Sequence, residues 1–300
     1  MDVELSLLKL LVEIDRFGSM TAAAEHLMYT PSAVSQQVKR LESVIGARVV
    51  ERHARGVRLT EAGRLVAGRA AAIDIQLSAL RADIDDLLDA RTGHVTLGVF
   101  PSFAASLLPD VMAAFRSEHP DIELEIRSSR LRDLHSMLQS REVDLSLAWD
   151  YPDLLMTVDD VVTEVIAEEP TVLLVPKGWR TNGPVRLDSL AREKWIVRSA
   201  QHPITTIFRT SCRTAGFEPD VLIESNDYME SQAMVAAGLG LTVAPAMTTR
   251  YLREGVDAIP SSELPNRRIL LCRLAQRTPS PASDAMASVL VSVFDTVKFT

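Results

Sequence analysis

The chain is poor in the residues that do chemistry. Only two of its 300 residues are cysteines, Cys212 and Cys272. Two thiols far apart in sequence make neither a disulfide framework nor a zinc site, and a reduced, cytoplasmic location is the simplest expectation. The six histidines, at 26, 53, 94, 119, 135 and 202, show no metal-ligand clustering, so no metal is expected. No apolar run approaches about 18 residues, which argues against a membrane span. The opening MDVELSLLKLLVEID is acidic and amphipathic, unlike a secretory signal. There is no Gly-x-Ser-x-Gly elbow and no His-Glu-x-x-His helix. Gly238-Leu239-Gly240 lacks the third glycine of a dinucleotide fingerprint and precedes a strand pattern rather than following one. Ser102, His202 and Asp150 are the residue types of a hydrolytic triad, but nothing in the sequence brings them together. No catalytic residue is assigned. A hydrolase or other metabolite-processing enzyme with an appended DNA-binding module stays as the alternative.

Positive charge is also scarce. Thirty-two basic residues face 40 acidic ones, a net charge of −8. The distribution is uneven. Residues 39–69 hold Lys39, Arg40, Arg48, Arg52, Arg55, Arg58, Arg64 and Arg69 against Glu42, Glu51 and Glu61, a local surplus of +5 that leaves −13 for the rest. A basic patch on an acidic chain is a footprint for nucleic acid, and the acidic remainder limits unspecific sticking.

What is present centres on SMTAAAEHLMYTPSAVSQQVKRLESVI, Ser19 to Ile45. A short helical pattern runs from about Ala22 to Leu27 with Ser19 or Thr21 as N-cap. A second begins at the N-cap Thr30, with Pro31 at the first helical position, where its missing N–H does no harm. Val34, Val38, Leu41 and Ile45 fall on one face of that second helix. Ser32, Ser35, Gln36, Lys39 and Ser43 fall on the other, where serine and glutamine suit base edges and Lys39 and Arg40 suit phosphate. This is the pattern of a helix-turn-helix whose second helix enters the major groove of double-stranded DNA; a helical hairpin that merely packs is the bland alternative. Gly46 ends the helix. ARVVERHARGVRLTEAG then reads as a two-stranded wing, Val49–Arg52 and Val57–Leu59, with Arg55 at its tip suited to phosphates or a narrow minor groove. Helix 1, from about Glu4 to Phe17, completes the module.

AAAEHL, TPSAVSQQVKRLE and ERHARGVRLTEAG resemble the DNA-binding end of the LysR-type transcriptional regulators. The motifs are strong over residues 1–65, and length and domain order extend the resemblance over the whole chain. Two positions depart from the family. It usually has Gln before the Pro-Ser pair where this chain has Thr30, which alters a base or backbone contact. It often has Leu-Phe where this chain has Val49–Val50, a buried wing position that affects packing.

Residues 61–90 form one long helical pattern. Val66, Ala70, Ile73, Leu77, Leu80, Ile84 and Leu87 alternate in steps of 4 and 3, a coiled-coil seam over three heptads. The seam predicts a homodimer; packing along the chain's own effector domain is the alternative. Arg91-Thr92-Gly93 reads as the exit hinge. From His94 onward strands and helices alternate as βαβ units, which predicts parallel sheets in two α/β lobes. A second set of elements begins near Val161, and the last strand and helix return to the first lobe. The expected crossings lie near Val158–Val162 and Pro260–Pro265. The resulting organisation is an N-terminal all-α winged helix-turn-helix (1–60), a long linker helix (61–92), and a C-terminal α/β region with lobe I at 93–160 and 266–300 and lobe II at 161–265. The resemblance implies that this region is a two-lobed, periplasmic-binding-protein-like effector domain, that pairs of dimers form a homotetramer, and that RNA polymerase is a further partner.

In open α/β sheets, ligands lie beyond the carboxyl ends of strands. Ser102 and Phe103, Ser128, Trp149 and Asp150 occupy such ends in the first lobe, and His202, Thr205, Asn226 and Pro245 in the second. Helix N-termini near Ser102 and His202 with hydroxyls beside them favour a small carboxylate effector. The family binds inducers at positions matching Ser102, Ser128 and the loop near His202. For each residue taken singly, helix capping is the competing explanation. Asp150 suits an ammonium and so an amino acid or amine, or else faces solvent. No cofactor is expected beyond this effector. A ligand-independent, architectural DNA-binding protein is the remaining alternative, and two lobes would have no purpose in it.

Overall fold

The structure, a computed structural model, describes residues 3–53, 56–89, 93–179, 185–297 and 299. The chain forms two compact units, Met1–Asp89 and Ala90–Thr300.

The first unit contains α1 (Leu5–Phe17), α2 (Met20–His26), α3 (Pro31–Ile45), β1 (Val50–His53), β2 (Gly56–Leu59) and α4 (Glu61–Asp89). Leu7, Leu10, Leu11 and Ile14 of α1 meet Ala23, Ala24, Val34, Val38 and Leu41 in one core. Ser19 and Thr30 cap α2 and α3 by accepting from the Ala22 and Ala33 amides at 3.3 and 3.2 Å. Val49 is fully buried, as its wing position requires. The wing is an antiparallel pair with Val50 opposite Leu59 and Glu51 opposite Arg58. Its second strand is pinned near the turn, where the Val57 amide donates to the Gly18 carbonyl at 3.1 Å. A Cβ at Gly56 would lie 2.7 Å from that same oxygen, so only glycine fits. Glycine is likewise required at Gly63 in α4, where a Cβ would fall 2.0 Å from the Val49 carbonyl oxygen. Thr60 caps α4, accepting from the Gly63 amide at 3.0 Å and donating to the Arg48 carbonyl at 2.7 Å.

The linker seam divides in two. Val66 packs against the first unit's core, Ala70 is buried, and a Lys9–Asp74 ion pair at 2.6 Å ties α1 to α4. From Ile73 onward the seam opens to solvent, with Ile73, Leu80 and Ile84 standing 41%, 53% and 46% exposed. The side chains of Leu87 and the aspartates near it, and the hinge residues Arg91 and Thr92, lie outside the described residues.

The second unit begins with β3 (His94–Val99), α5 (Pro101–Ala104), α6 (Leu108–Glu118), β4 (Glu123–Ser128), α7 (Leu131–Gln139), β5 (Leu145–Asp150) and β6 (Val161–Glu169). It continues with β7 (Thr171–Pro176), β8 (Lys194–Arg198), α8 (Pro203–Thr214), β9 (Asp220–Ser225), α9 (Tyr228–Ala236), β10 (Thr242–Pro245), β11 (Val256–Pro260), β12 (Arg267–Leu274) and α10 (Pro281–Thr296). The first sheet runs β4-β3-β5-β12-β6. In the second lobe, β8 pairs in parallel with β9 and β7 lies between β10 and β11. A parallel bridge from Trp195 to Leu241 joins these into the order β9-β8-β10-β7-β11. The lobes therefore repeat one topology: three parallel strands, then an antiparallel strand that crosses from the other lobe.

Two expectations are corrected. The sheets are mixed rather than parallel, because the crossing strands β7 and β12 enter from the opposite lobe and run against their neighbours. Residues 161–169, placed in lobe II from the sequence, form β6 and pair with β12 along its whole length in lobe I. The first crossing is thus at Pro170, between β6 and β7, not near Val158–Val162; the second lies between Pro260 and Arg267.

Candidate functional site: the recognition helix and the inter-lobe cleft

On α3 the buried side is Val34, Val38 and Leu41, and Pro31, Ser32, Gln36, Lys39 and Arg40 are exposed, with Ser35 half-buried beside them. The Thr30 and Ser32 hydroxyls lie 3.0 Å apart, so the N-cap also orients the first polar residue of the exposed face. Arg40 is drawn back onto the protein by an ion pair with Glu4, which lowers its claim on phosphate relative to Lys39. Glu42, acidic within the basic patch, accepts from the Val49 amide at 2.9 Å and so ties α3 to the wing. Arg55 lies outside the described residues.

In the second unit the crossing strands meet at a buried ion pair. Glu169, the last residue of β6, and Arg267, the first of β12, are register partners. Both are essentially unexposed. Arg267 donates through Nε to Glu169 Oε1 at 2.8 Å, with Nη2 on the same oxygen. The other carboxylate oxygen accepts from the Met247 amide of lobe II at 2.6 Å. Burial raises the Glu169 carboxyl, and Arg267 and the Met247 amide pull it back. The guanidinium also faces the rings of Phe100 and Trp149 at 5.2 and 5.4 Å, and its Nη1 lies 3.5 Å from the Ser102 hydroxyl.

From lobe II, His202 stacks on Trp149 with centroids 5.4 Å apart, and Tyr228 meets His202 edge-on at 6.4 Å. Arg198 covers the Tyr228 ring at 4.7 Å and donates to the Asn226 carbonyl. Tyr151 stands edge-on to Trp149 at 6.0 Å. His202 accepts from the Ile204 amide at 3.3 Å through Nδ1, capping α8 and leaving the proton of its neutral ring on Nε2. Burial, then Arg198, then Arg267 push its pKa down to about 3. Since the unfolded chain binds this proton at a higher pH, stability is expected to fall as pH drops from about 6.5 towards 3, by up to about 1.4 kcal/mol per pH unit. His202→Gln keeps an acceptor for the cap. Denaturation midpoints compared between the two proteins from pH 7 to 4 should show a shallower fall for the variant; parallel curves would remove His202 as the source.

Of the effector residues expected from sequence, Ser102, Trp149 and His202 come together here. Thr205 is buried and donates to the Arg198 carbonyl at 2.9 Å, and Asn226 gives Arg198 its carbonyl while its side chain bonds Glu230 at 3.3 Å. Three others have structural roles. Phe103 is in the lobe I core against Phe100 and Phe294. Pro245 is buried, its carbonyl accepting from Thr248 at 2.7 Å. Asp150 neither faces solvent nor waits for an ammonium: both its oxygens accept from Arg268 at 2.7 Å, and one also from the Met156 amide at 3.0 Å. Ser128 is exposed at the end of the edge strand β4. The sequence reading missed Arg198, Tyr151, Tyr228, Glu169 and Arg267. A charged residue at the boundary of an apolar run, as in WIVR and RRILL, is the local signal for Arg198 and Arg267; the two tyrosines have none.

The fold is thus a winged helix-turn-helix unit and a two-lobed α/β unit with a polar cluster between its lobes. A family model described as the LysR substrate binding domain matches residues 89–295, and one for the bacterial regulatory helix-turn-helix protein, lysR family, matches 5–64. The chain belongs to the LysR family of DNA-binding transcriptional regulators with an effector-binding domain. It is 28% identical to the transcriptional dual regulator GltC of Bacillus subtilis over 82% of each chain. It is also 28% identical to the transcriptional regulator CfxR of Cupriavidus necator, over 95% of this chain and 90% of that one. Among solved structures, CbnR complexed with its target DNA superposes with a TM-score of 0.64 at 17% identity, over 97% of this chain and 100% of that one, a likeness in fold. No helix among the described residues is long and apolar enough to cross a membrane.

Proposed function

We propose that α3 reads operator sequence through Ser32, Ser35 and Gln36, with Lys39 and the wing residue Arg55 on the backbone, and that a small anionic metabolite bound between the lobes regulates that binding. The supporting observation for the first part is the exposed polar face of α3 directly behind a buried apolar one. For the second it is the meeting of Ser102, Trp149 and His202 beside two guanidinium groups. The regulator works as a homodimer through the outer part of α4, with a tetramer and an RNA polymerase contact following from the family, and it turns over no substrate. The ligand acts by favouring one arrangement of the lobes over another, and a coupling of about 1–3 kcal/mol suffices.

Relatives of this chain include a hydrogen peroxide-inducible genes activator of Haemophilus influenzae, 24% identical. Here both thiols are buried, and burial pushes Cys212 and Cys272 up to about 12. Neither offers an accessible thiolate. A bound effector is therefore favoured over an oxidised cysteine.

Duplexes selected from a random pool by the full-length protein test the first part. Gln36→Ala should weaken a selected site by about 1–3 kcal/mol and relax the preference at one base pair, with little change on random DNA. Equal losses on both would place the reading face elsewhere. The melting midpoint in the presence of a metabolite panel tests the second: a binder should raise it, leave the metabolite chemically unchanged by mass spectrometry, and lose its effect in Trp149→Ala.

A further inference from the structure

The first three helices end in the same backbone shape but not with the same residue. α1 is closed by Gly18 at φ 60° and α3 by Gly46 at φ 77°, both left-handed. α2 is closed in the same way at Met28, with φ 55°. The Met28 amide donates to the Glu25 carbonyl at 3.2 Å, and the Tyr29 amide to the Ala24 carbonyl at 2.8 Å. These are the paired bonds of a Schellman motif, whose left-handed position is usually glycine and sometimes asparagine. In that conformation a Cβ crowds the following carbonyl oxygen, so Met28 carries a cost that Gly18 and Gly46 avoid.

Nothing in the folded unit offsets that cost. Met28 is 92% exposed, the most exposed large apolar side chain among the described residues. Leu27, one residue earlier, packs on the core of Leu7, Leu11, Val34 and Val38; Met28 takes no part in it. A residue that is strained and also unburied points to a role outside folding. Its position names the partner. Met28 stands two residues before Thr30, the N-cap of α3, and the N-terminal end of a recognition helix is the end delivered to base edges. The residues that follow are polar, with the Thr30 and Ser32 hydroxyls 3.0 Å apart. The thymine methyl is the one apolar group that base edges show in the major groove. A long, unbranched, polarisable thioether suits it.

We propose that Met28 is a specificity-determining residue, which lays its thioether on the methyl group of a thymine at the edge of the operator half-site. The inference rests on α3 being the reading helix and adds a reader on the turn before it. The left-handed backbone serves this contact: a right-handed residue would prolong α2, whereas Met28 ends the helix with its side chain in solvent beside the start of α3. Stability and recognition then pull in opposite directions at this position, as they do where a strained residue is kept for function.

The probe is a duplex selected from a random pool by the full-length protein, remade with each thymine in turn replaced by deoxyuridine, which lacks only the methyl group. At one thymine of a half-site the parent should lose affinity by about fourfold, the scale of one methyl returned to water. Met28→Gly should bind the unmodified duplex about fourfold more weakly and be indifferent to deoxyuridine at that position. Met28→Leu, which keeps an apolar side chain, should stay sensitive to it. The melting midpoint of Met28→Gly should lie at or above the parent's, because glycine relieves the left-handed strain. A parent that tolerates deoxyuridine at every thymine, or a Met28→Gly variant that feels each replacement as the parent does, overturns the proposal. So does a lower midpoint in Met28→Gly with equal losses on selected and random DNA, which would make Met28 a structural residue. Each of these outcomes leaves the reading by α3 standing, since that is decided by Gln36→Ala. A pool that yields no preferred duplex would overturn both.

Discussion

Glu169→Ala is expected to destabilise the Ala90–Thr300 unit by about 3–5 kcal/mol, the usual effect of breaking a buried ion pair from one side. The reason is asymmetry. The intact pair nets little, since desolvating two charges offsets their attraction. Without Glu169, however, Arg267 stays in a site with 1% exposure and no counter-charge, and the Met247 amide loses its acceptor. The substitution sits at the junction of β6 and β7, so it also frees lobe II from the end of β6. Trp149, Trp179 and Trp195 all belong to this unit, so tryptophan fluorescence during urea denaturation reports it without interference from the DNA-binding unit. The double variant Glu169→Leu with Arg267→Met removes both charges and should recover most of the loss. A loss below about 1 kcal/mol for Glu169→Ala, or no recovery in the double variant, would mean that the pair does not organise the crossing.

The second large effect concerns assembly. Leu77→Asp combined with Leu80→Asp should convert the protein to monomers and weaken binding to a two-half-site operator by about 10²-fold or more, because each half-site is then bound alone. The inner part of α4 is already occupied: Val66 and Ala70 are used within the chain, and Lys9 pairs with Asp74. The outer part exposes Ile73, Leu80 and Ile84 on a helix of 29 residues, a stripe that a lone helix would gain nothing by keeping. The stripe follows the heptad, so the partner is expected to be another copy of the same helix. Sedimentation of the double variant at the parent's oligomeric state would sink this account. Monomers that still bind the intact operator as tightly as the parent would separate dimerisation from DNA affinity.

Both effects bear on how much of this protein is legible in its sequence. The DNA-binding unit is legible almost residue by residue. Its signals are local: Thr30 caps, Pro31 starts, Gly46 stops, and the 3.6-residue period separates Val34, Val38 and Leu41 from Ser32 and Gln36. The existence and order of the α/β elements follow likewise from short apolar runs between turn signals. Which sheet a strand joins does not. VVTEVIAEE looks the same whether it opens a new lobe or edges an old one, and its pairing with β12, about a hundred residues later in the chain, decides the matter.

The cleft shows the same limit more sharply. Ser102, Trp149 and His202 could be named because strand ends before helix starts are where ligands sit. Asp150 could not be judged, because its partner Arg268 is across the sheet on β12. Nor could Tyr151, Arg198, Glu169 and Arg267 be singled out, since their contacts with Trp149, Tyr228 and each other are made only in the folded chain. The sequence by itself determined the helix-turn-helix with its exposed polar face and the heptad pattern of the linker, which rest on periodicity and capping within a few turns, and the class of regulator, which rests on the resemblance of its motifs. Only the tertiary structure decided where the lobes cross, which carboxylates pair with arginines, and which side chains of the two lobes meet in the cleft, because each of those is a relation between residues that the folded chain alone makes neighbours.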